Sequence, residues 1–449
     1  MTDLAARLIL AGLSAAEADR KARLFDLAEQ RLAALAGRPS QGAARWFVPG
    51  RIEVLGKHTD YAGGRSLLCA VERGICVVAR PRADAVVRIA DAVLDVETRL
   101  ALSDTLDAGD ENGWTAYPAS VVRRMARNFP GELRGADIAF ASDLPRSAGL
   151  SSSSALVVAV FTALAAANAL EKREDYRTSL RRPEDLAGYL GAVENGLSFG
   201  ALAGDRGVGT LGGSEDHTAI LCCRAGRLAQ YAFCPVRFER DVELSPGWTF
   251  VVGASGVAAE KAGGARESYN RLSLAAASIL ELWRSAGGSG ETLGDAVREP
   301  GAPERIREVL AASSHARFPA RELLDRFDQF VEESEVLVPG AAKAFAKGDS
   351  AALGDVVARS QAGAEQLLCN QIPETSGLVA SARSLGAIAA SAFGAGFGGS
   401  VWALVAAGEA DGFRAAWEGD YRRRFPAVAA SSEFFVTRPG PGLVKLEAG

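Results

Sequence analysis

Residues 143–155 read Asp-Leu-Pro-Arg-Ser-Ala-Gly-Leu-Ser-Ser-Ser-Ser-Ala and run straight into an apolar stretch that ends near Leu170. A proline, a glycine and four serines ahead of a buried helix leave a chain few choices. The small residues let the backbone curl, and the first N–H groups of a helix have no partner inside it. Together with the positive end of the helix dipole they form a seat for a phosphate. The plain alternative is a serine-rich cap, for which one serine suffices. Four in a row therefore favour a ligand.

Two further segments concentrate polar chemistry. Residues 48–64 read Val-Pro-Gly-Arg-Ile-Glu-Val-Leu-Gly-Lys-His-Thr-Asp-Tyr-Ala-Gly-Gly, an apolar strand leading into a cluster of Arg, Lys, His, Asp and Tyr closed by two glycines. Polar side chains on a loop beside a rigid strand suit a sugar-like substrate, and a solvated charged turn is the alternative. Residues 212–218 read Gly-Gly-Ser-Glu-Asp-His-Thr, where a carboxylate at a glycine-rich turn takes a hydroxyl proton or merely caps the turn. The common nucleotide patterns fail. Gly50 to His58 departs from a P-loop in spacer length and in its final residue, and the G-x-G-x-x-G matches at Gly207 and Gly394 lack a strand before and a helix after.

Composition limits the partners. With Lys+Arg 50 against Asp+Glu 55 the net charge is −5, so nothing global favours nucleic acid. The longest apolar run, 155–167, is too short for a bilayer, and no secretory leader is evident. The six cysteines (69, 76, 222, 223, 234 and 369) show no CxxC spacing and read as buried free thiols of a reducing compartment. A cytoplasmic, monomeric protein is expected. A helical lead-in is expected over 1–37, strands at 46–48, 75–79, 85–89 and 137–140, and helices at 151–170 and 184–195. A hairpin of 218–223 with 228–233 follows, then a strand at 249–252 and mostly helix over 260–350. A helix at 374–392, a strand at 400–405, a helix at 409–425 and a strand at 433–437 complete the chain. Irregular mixing of strands and helices predicts two α+β domains, divided as 1–240 and 241–449.

In order along the chain, PGR-x-x-x-x-G-x-HTDY-x-GG, P-x-x-x-GLSSS and G-x-GFGG resemble the three motifs of the GHMP small-molecule kinases, the first being similar to the galactokinase signature. Trp114, Tyr117 and the run Ser268-Tyr269-Asn270-Arg271 extend the resemblance from about residue 45 to 405. It implies a ribosomal-protein-S5-domain-2-like N-terminal domain, a ferredoxin-like C-terminal domain and an ATP- and Mg²⁺-dependent sugar kinase. It further implies Asp216 as the catalytic aspartate and Arg51 as the arginine facing it. Lys57, His58, Asp60, Tyr61 and Tyr269 fall at sugar-site positions. Pro145, Gly149, Leu150, Ser151, Ser152 and Ser153, with Gly396 and Gly398 of the third motif, fall at nucleotide positions. Ser153, with Ser152 the alternative, and Glu194 fall on the Mg²⁺ side.

Three departures bear on substrate. Lys57 stands where galactokinases carry a sugar-contacting glutamate. An ammonium donates but cannot accept hydrogen bonds, so Lys57 either pairs with a substrate carboxylate, making a uronic-acid kinase, or pairs with Asp60 or Glu53 and leaves galactose as substrate. The stretch from Glu194 to Asp216 is longer than in the family, through 201–209. The segment 360–374 lacks the family's His and Tyr. A non-catalytic sugar sensor is the reading from another class.

Overall fold

A computed structural model describes residues 3–106, 113–146, 148–258 and 264–446; Ser147 of the serine-rich motif and the 260–263 start of the expected helical region lie outside them. The larger of two sheets contains β1 (Ala44–Leu55), β2 (Arg65–Pro81), β3 (Val86–Asp91), β4 (Val96–Ala101), β5 (Ala136–Ser142), β6 (Arg227–Ala232), β7 (Arg237–Glu243) and β12 (Val444–Leu446). Its order is β12-β1-β2-β5-β3-β4, with β6 on β2 and β7 on β6; among the described residues only β3 and β5 run parallel. The last described strand thus pairs with the first.

Period-two alternation sorts the strand residues onto two faces. Phe47, Cys76 and Val78 pack with Phe25 and Leu32 of the helix Ala15–Ala36. Trp46, Val48, Ile52, Val54 and Val77 pack with the helix Ser152–Ala167, which is apolar almost all round because it is enclosed on every side. Both faces of β1 are covered, so its middle is continuously buried.

The second sheet, ordered β11-β8-β10-β9, is antiparallel and comprises β8 (Trp248–Ala254), β9 (Ala389–Phe393), β10 (Ser400–Ala406) and β11 (Glu433–Thr437). Val251, Val401 and Ala403 face Leu378, Trp417 and Tyr421. The alternate residues Phe250, Val252, Trp402 and Leu404 join the core of the larger sheet. A third cluster gathers the helices Gly264–Ser285, Leu293–Val297, Ala302–Ala312 and Ala320–Val331 around Trp283, Phe327 and Phe330 and packs against Ala62. The helical layer thus lies directly behind the 56–64 loop.

The α+β arrangement agrees with expectation; several local readings do not. Residues 218–223 are no strand: 218–222 complete the helix Glu215–Cys222, which Cys223 caps and whose first turn carries two acids that suit the helix dipole. The expected helix 374–392 stops at Ser384, and β9 follows. Strand β2 runs 17 residues, well beyond the expected 75–79, and carries the charged pair Glu72-Arg73 within it. That charge is satisfied: Arg73 pairs with Glu433 and lies 3.7 Å over Phe435, while Glu72 accepts from Ser14 N–H at 2.6 Å. All six cysteines are free, yet Cys234 and Cys369 are exposed rather than buried.

Candidate active site

Arg51 and Glu53 lie two residues apart on β1 and so project to the same face. Arg51 is 4% exposed, and its Nε and Nη2 donate to Asp216 Oδ1 at 2.8 and 2.7 Å. Its Nη1 donates to the Gly149 carbonyl, tying the first motif to the second. Asp216 sits in the first turn of its short helix. That turn is anchored from the first motif, because Asp60 Oδ2 accepts the Glu215 N–H at 3.0 Å. The approach is so close that a Cβ on Gly213 would stand 2.3 Å from Asp60 Oδ2, so only glycine fits there.

The helix Ser152–Ala167 begins beside this pair. Ser151 is left-handed at φ 60°, and the first helical bond runs from Ala155 N–H to the Ser151 carbonyl at 2.9 Å. The N–H groups of Ser152, Ser153 and Ser154 thus lie outside the helical ladder, as a phosphate seat requires. The Ser154 hydroxyl donates to Glu194 Oε2 at 2.9 Å and lies 3.3 Å from Asp216 Oδ2. The extra residues at 201–209 do not displace Glu194. Asp205 is fixed by Arg123 at 2.7 Å, and Asn195 donates to the Gly212 carbonyl at 2.8 Å, so the loop folds back onto its own helix.

These groups border one cavity of about 680 Å³. Its wall includes Arg51, His58, Asp60, Tyr61 and Tyr269, then Gly149, Ser151, Ser152 and Ser153, then Glu194 and Asp216. Trp114, Tyr117, Leu144 and Phe140 form an aromatic and apolar end. Pro145, Leu150, Gly396 and Gly398 do not line it. Leu150 is buried and its carbonyl accepts from Arg51 N–H at 3.3 Å, Gly396 packs on Asn370, and Gly398 packs on Val257 and Ala258.

Lys57 does not line it either. It is 2% exposed and points into the protein, where Nζ donates to Ser360 Oγ and Ser391 Oγ, each at 2.8 Å. Ser360 in turn donates to Glu333 at 2.9 Å, and Glu333 accepts the Gly56 N–H at 2.8 Å. The expectation of a substrate carboxylate on Lys57 is therefore corrected: the ammonium is already sequestered among protein oxygens. The departures at 57 and 360–361 explain each other, since Ser360 builds the nest and Gln361 holds Ser391 and the Ala392 N–H.

His58 is in the wall, but both ring nitrogens are engaged. The Ala395 carbonyl, 3.1 Å from Nε2, can only accept, so Nε2 carries the proton and Nδ1 accepts from Tyr61 Oη at 3.0 Å. Arg326, 1% exposed, donates to the His58 carbonyl and to Tyr61 Oη. Burial, then the Arg326 charge, pushes His58 down to about 3, so the ring stays neutral. An unfolded chain takes up this proton near 6.5 and the folded one only near 3. Stability should fall with pH through that window, by about 1.4 kcal/mol per pH unit from this group. His58→Gln is expected to flatten the acid side of a plot of thermal midpoint against pH; a curve parallel to the parent's would contradict this.

Sequence reasoning missed Ser154, Glu53, Glu215, His217 and the supporting Arg326, Gln329 and Glu333. Ser154 was one residue past the motif as matched, and Glu53 was signalled by its two-residue spacing from Arg51. Glu215 is buried, and its Oε2 accepts a hydrogen bond from the Ser66 hydroxyl at 2.6 Å. Burial, then the charges of Glu53 and Asp60, hold its carboxyl well above the usual range.

Comparison with known proteins decides the family. Residues 34–81 match the galactokinase galactose-binding signature, 116–197 the GHMP kinase N-terminal domain and 341–423 the GHMP kinase C-terminal domain. A galactokinase of Roseiflexus sp. is 32% identical over 374 residues, covering 82% of this chain and 84% of the relative. The chain belongs to the galactokinase family. Within it, a Chloroflexus aggregans galactokinase is 32% identical over 86% of this chain and 90% of its own. The crystal structure of Lactococcus lactis galactokinase complexed with galactose superposes with a TM-score of 0.74 at 21% identity, over 93% of this chain and 98% of that one. That likeness establishes the fold. As a member of this family the chain is a sugar kinase.

Proposed function

We propose that this chain transfers the γ-phosphoryl group of ATP to the anomeric hydroxyl of galactose. The observation that carries this reading is the Arg51–Asp216 pair, held where the serine-opened helix meets the sugar-motif loop. Asp216 accepts the hydroxyl proton as the sugar oxygen bonds to the γ-phosphorus and the bond to the β-phosphate oxygen breaks. Arg51 pins the Asp216 carboxylate and offsets charge on the transferring group. The N–H groups at 152–154 seat the phosphates, and the aromatic end at Trp114 and Tyr117 takes the base. Asp60, Tyr61, His58 and Tyr269 shape the sugar end.

The donor set suits Mg²⁺, which takes few protein oxygens and keeps waters and substrate phosphates. Among the described residues no group of three or more His, Cys, Asp or Glu forms a metal cage. Glu194 and Ser153 would hold the ion, and its chemistry there is neutralisation of phosphate charge. Ser154 holds Glu194 and Asp216 in register. Ser154→Ala is expected to lower kcat about tenfold, the loss of one hydrogen bond's positioning, with little change in KM for ATP. An unchanged kcat would remove Ser154 from the account.

The division into 1–240, carrying the phosphate and sugar motifs, and 241–449, closing the site from the other side, is part of the proposal. So are a monomeric state without nucleic-acid or membrane partners and a cytoplasmic location. Six free cysteines suit a reducing compartment, and among the described residues no helix is long and apolar enough to cross a membrane. The reaction is tested by phosphorus NMR of the product from ATP and galactose. A sugar 1-phosphate is expected; phosphate on another hydroxyl would overturn the assignment.

A further inference from the structure

Glu53 is a carboxylate of the cavity wall to which the reaction as proposed gives no role, and its setting is specific. It is 4% exposed, yet it lines the cavity. Oε2 is committed, accepting the Gly394 N–H at 3.0 Å. Oε1 is buried with no hydrogen-bond partner in the protein. An acceptor oxygen kept dry and unmet costs stability unless a ligand supplies the donor. The surrounding charges place it at the sugar end: Glu53 feels Lys57 and Arg51 as cations, and its own charge is felt by Glu215 and Tyr61.

The position of Lys57 gives this a chemical reason. The signature position that would offer an acceptor to the sugar holds an ammonium here, and that ammonium is turned away into the Ser360–Ser391 nest. The pocket has therefore lost an acceptor at 57. We infer that Glu53 supplies it, with Oε1 accepting a hydrogen bond from a ring hydroxyl of the neutral sugar and so helping to set which sugar is bound. Burial pushes the Glu53 carboxyl up to about 7, and Lys57 opposes this from behind, as a buried counter-charge that favours the ionised, accepting form. This assignment rests on the sugar-kinase reading above.

The test is a set of deoxygalactoses, each lacking one hydroxyl, measured by equilibrium binding and by ADP release with the parent, Glu53→Gln and Glu53→Asp. Gln keeps the acceptor for Gly394 N–H but turns the free position into a donor. Glu53→Gln is expected to weaken galactose binding about 10–100-fold with KM for ATP within twofold. It should also abolish the parent's discrimination against one particular deoxygalactose while leaving the others ranked as before. Glu53→Asp, which keeps the charge, should show the same selective loss in weaker form and serves if the Gln variant does not fold. Parent-like affinities for galactose and for every deoxygalactose in the folded variants would overturn the inference. A parent that neither binds nor phosphorylates galactose would instead overturn the sugar-kinase reading on which it rests.

Discussion

Asp216→Asn is expected to lower kcat with galactose by about 10²–10⁴-fold, the usual contribution of a positioned general base. ATP affinity, read by equilibrium titration, should stay within a few-fold. Asparagine keeps an oxygen for the two Arg51 nitrogens that now converge on Oδ1, but it cannot take the hydroxyl proton. Arg51 also retains the Gly149 carbonyl and the nearby charges of Glu215 and Glu53, so the buried guanidinium is not stranded and the fold should persist. ADP release measured on the purified variant checks this. A kcat near the parent's would remove Asp216 from the proton transfer.

The second large effect is on stability. Lys57→Met should destabilise the protein by about 3–5 kcal/mol, the cost of breaking a buried ionic cluster from one side. Lys57 is fully enclosed, and with it gone Glu53 and Glu333 face each other's charge without the cation between them. Lys57→Glu adds a further carboxylate to the same nest and should be worse. Denaturant titration at neutral pH reads both. Whatever fraction folds should bind galactose more weakly, since Glu53 loses its counter-charge, but should keep the ranking of neutral over acidic sugars, because Lys57 itself does not reach the cavity. A well-folded Lys57→Glu enzyme with a changed ranking would contradict the buried-nest description.

Much of the site was legible because its chemistry is local. Arg51, Asp60, Asp216 and the serines at 151–153 sit in short polar runs bounded by glycine, and such runs announce themselves. What escaped was the long-range packing that gives those residues their roles. Lys57 looked like a substrate contact because it stands where galactokinases carry a sugar-contacting glutamate. Its partners, Ser360 and Ser391, lie some 300 residues away, and no periodicity reports them. Glu333, Arg326 and Gln329 were invisible for the same reason, although they hold the backbone of Gly56, Lys57 and His58. The helix Glu215–Cys222 was read partly as a strand because eight residues of short apolar chain carry little helical period. The presence of β1 and β2 followed from short β-branched runs at 46–48 and 75–79, and that of the helix behind them from its uninterrupted apolar stretch. The exact ends did not, since the charges at 72–73 within β2 are paired with residues near 433–438.

Phosphorylation of a neutral sugar in this cavity can be measured directly. The most direct measurement is coupled ADP release from Mg-ATP with galactose and galacturonate side by side, and Asp216→Asn as the blank. Turnover is expected on galactose, with little on galacturonate and almost none in the blank. Turnover on galacturonate alone would contradict the neutral-sugar assignment, because a substrate carboxylate would then need the charge that the structure places out of reach on Lys57.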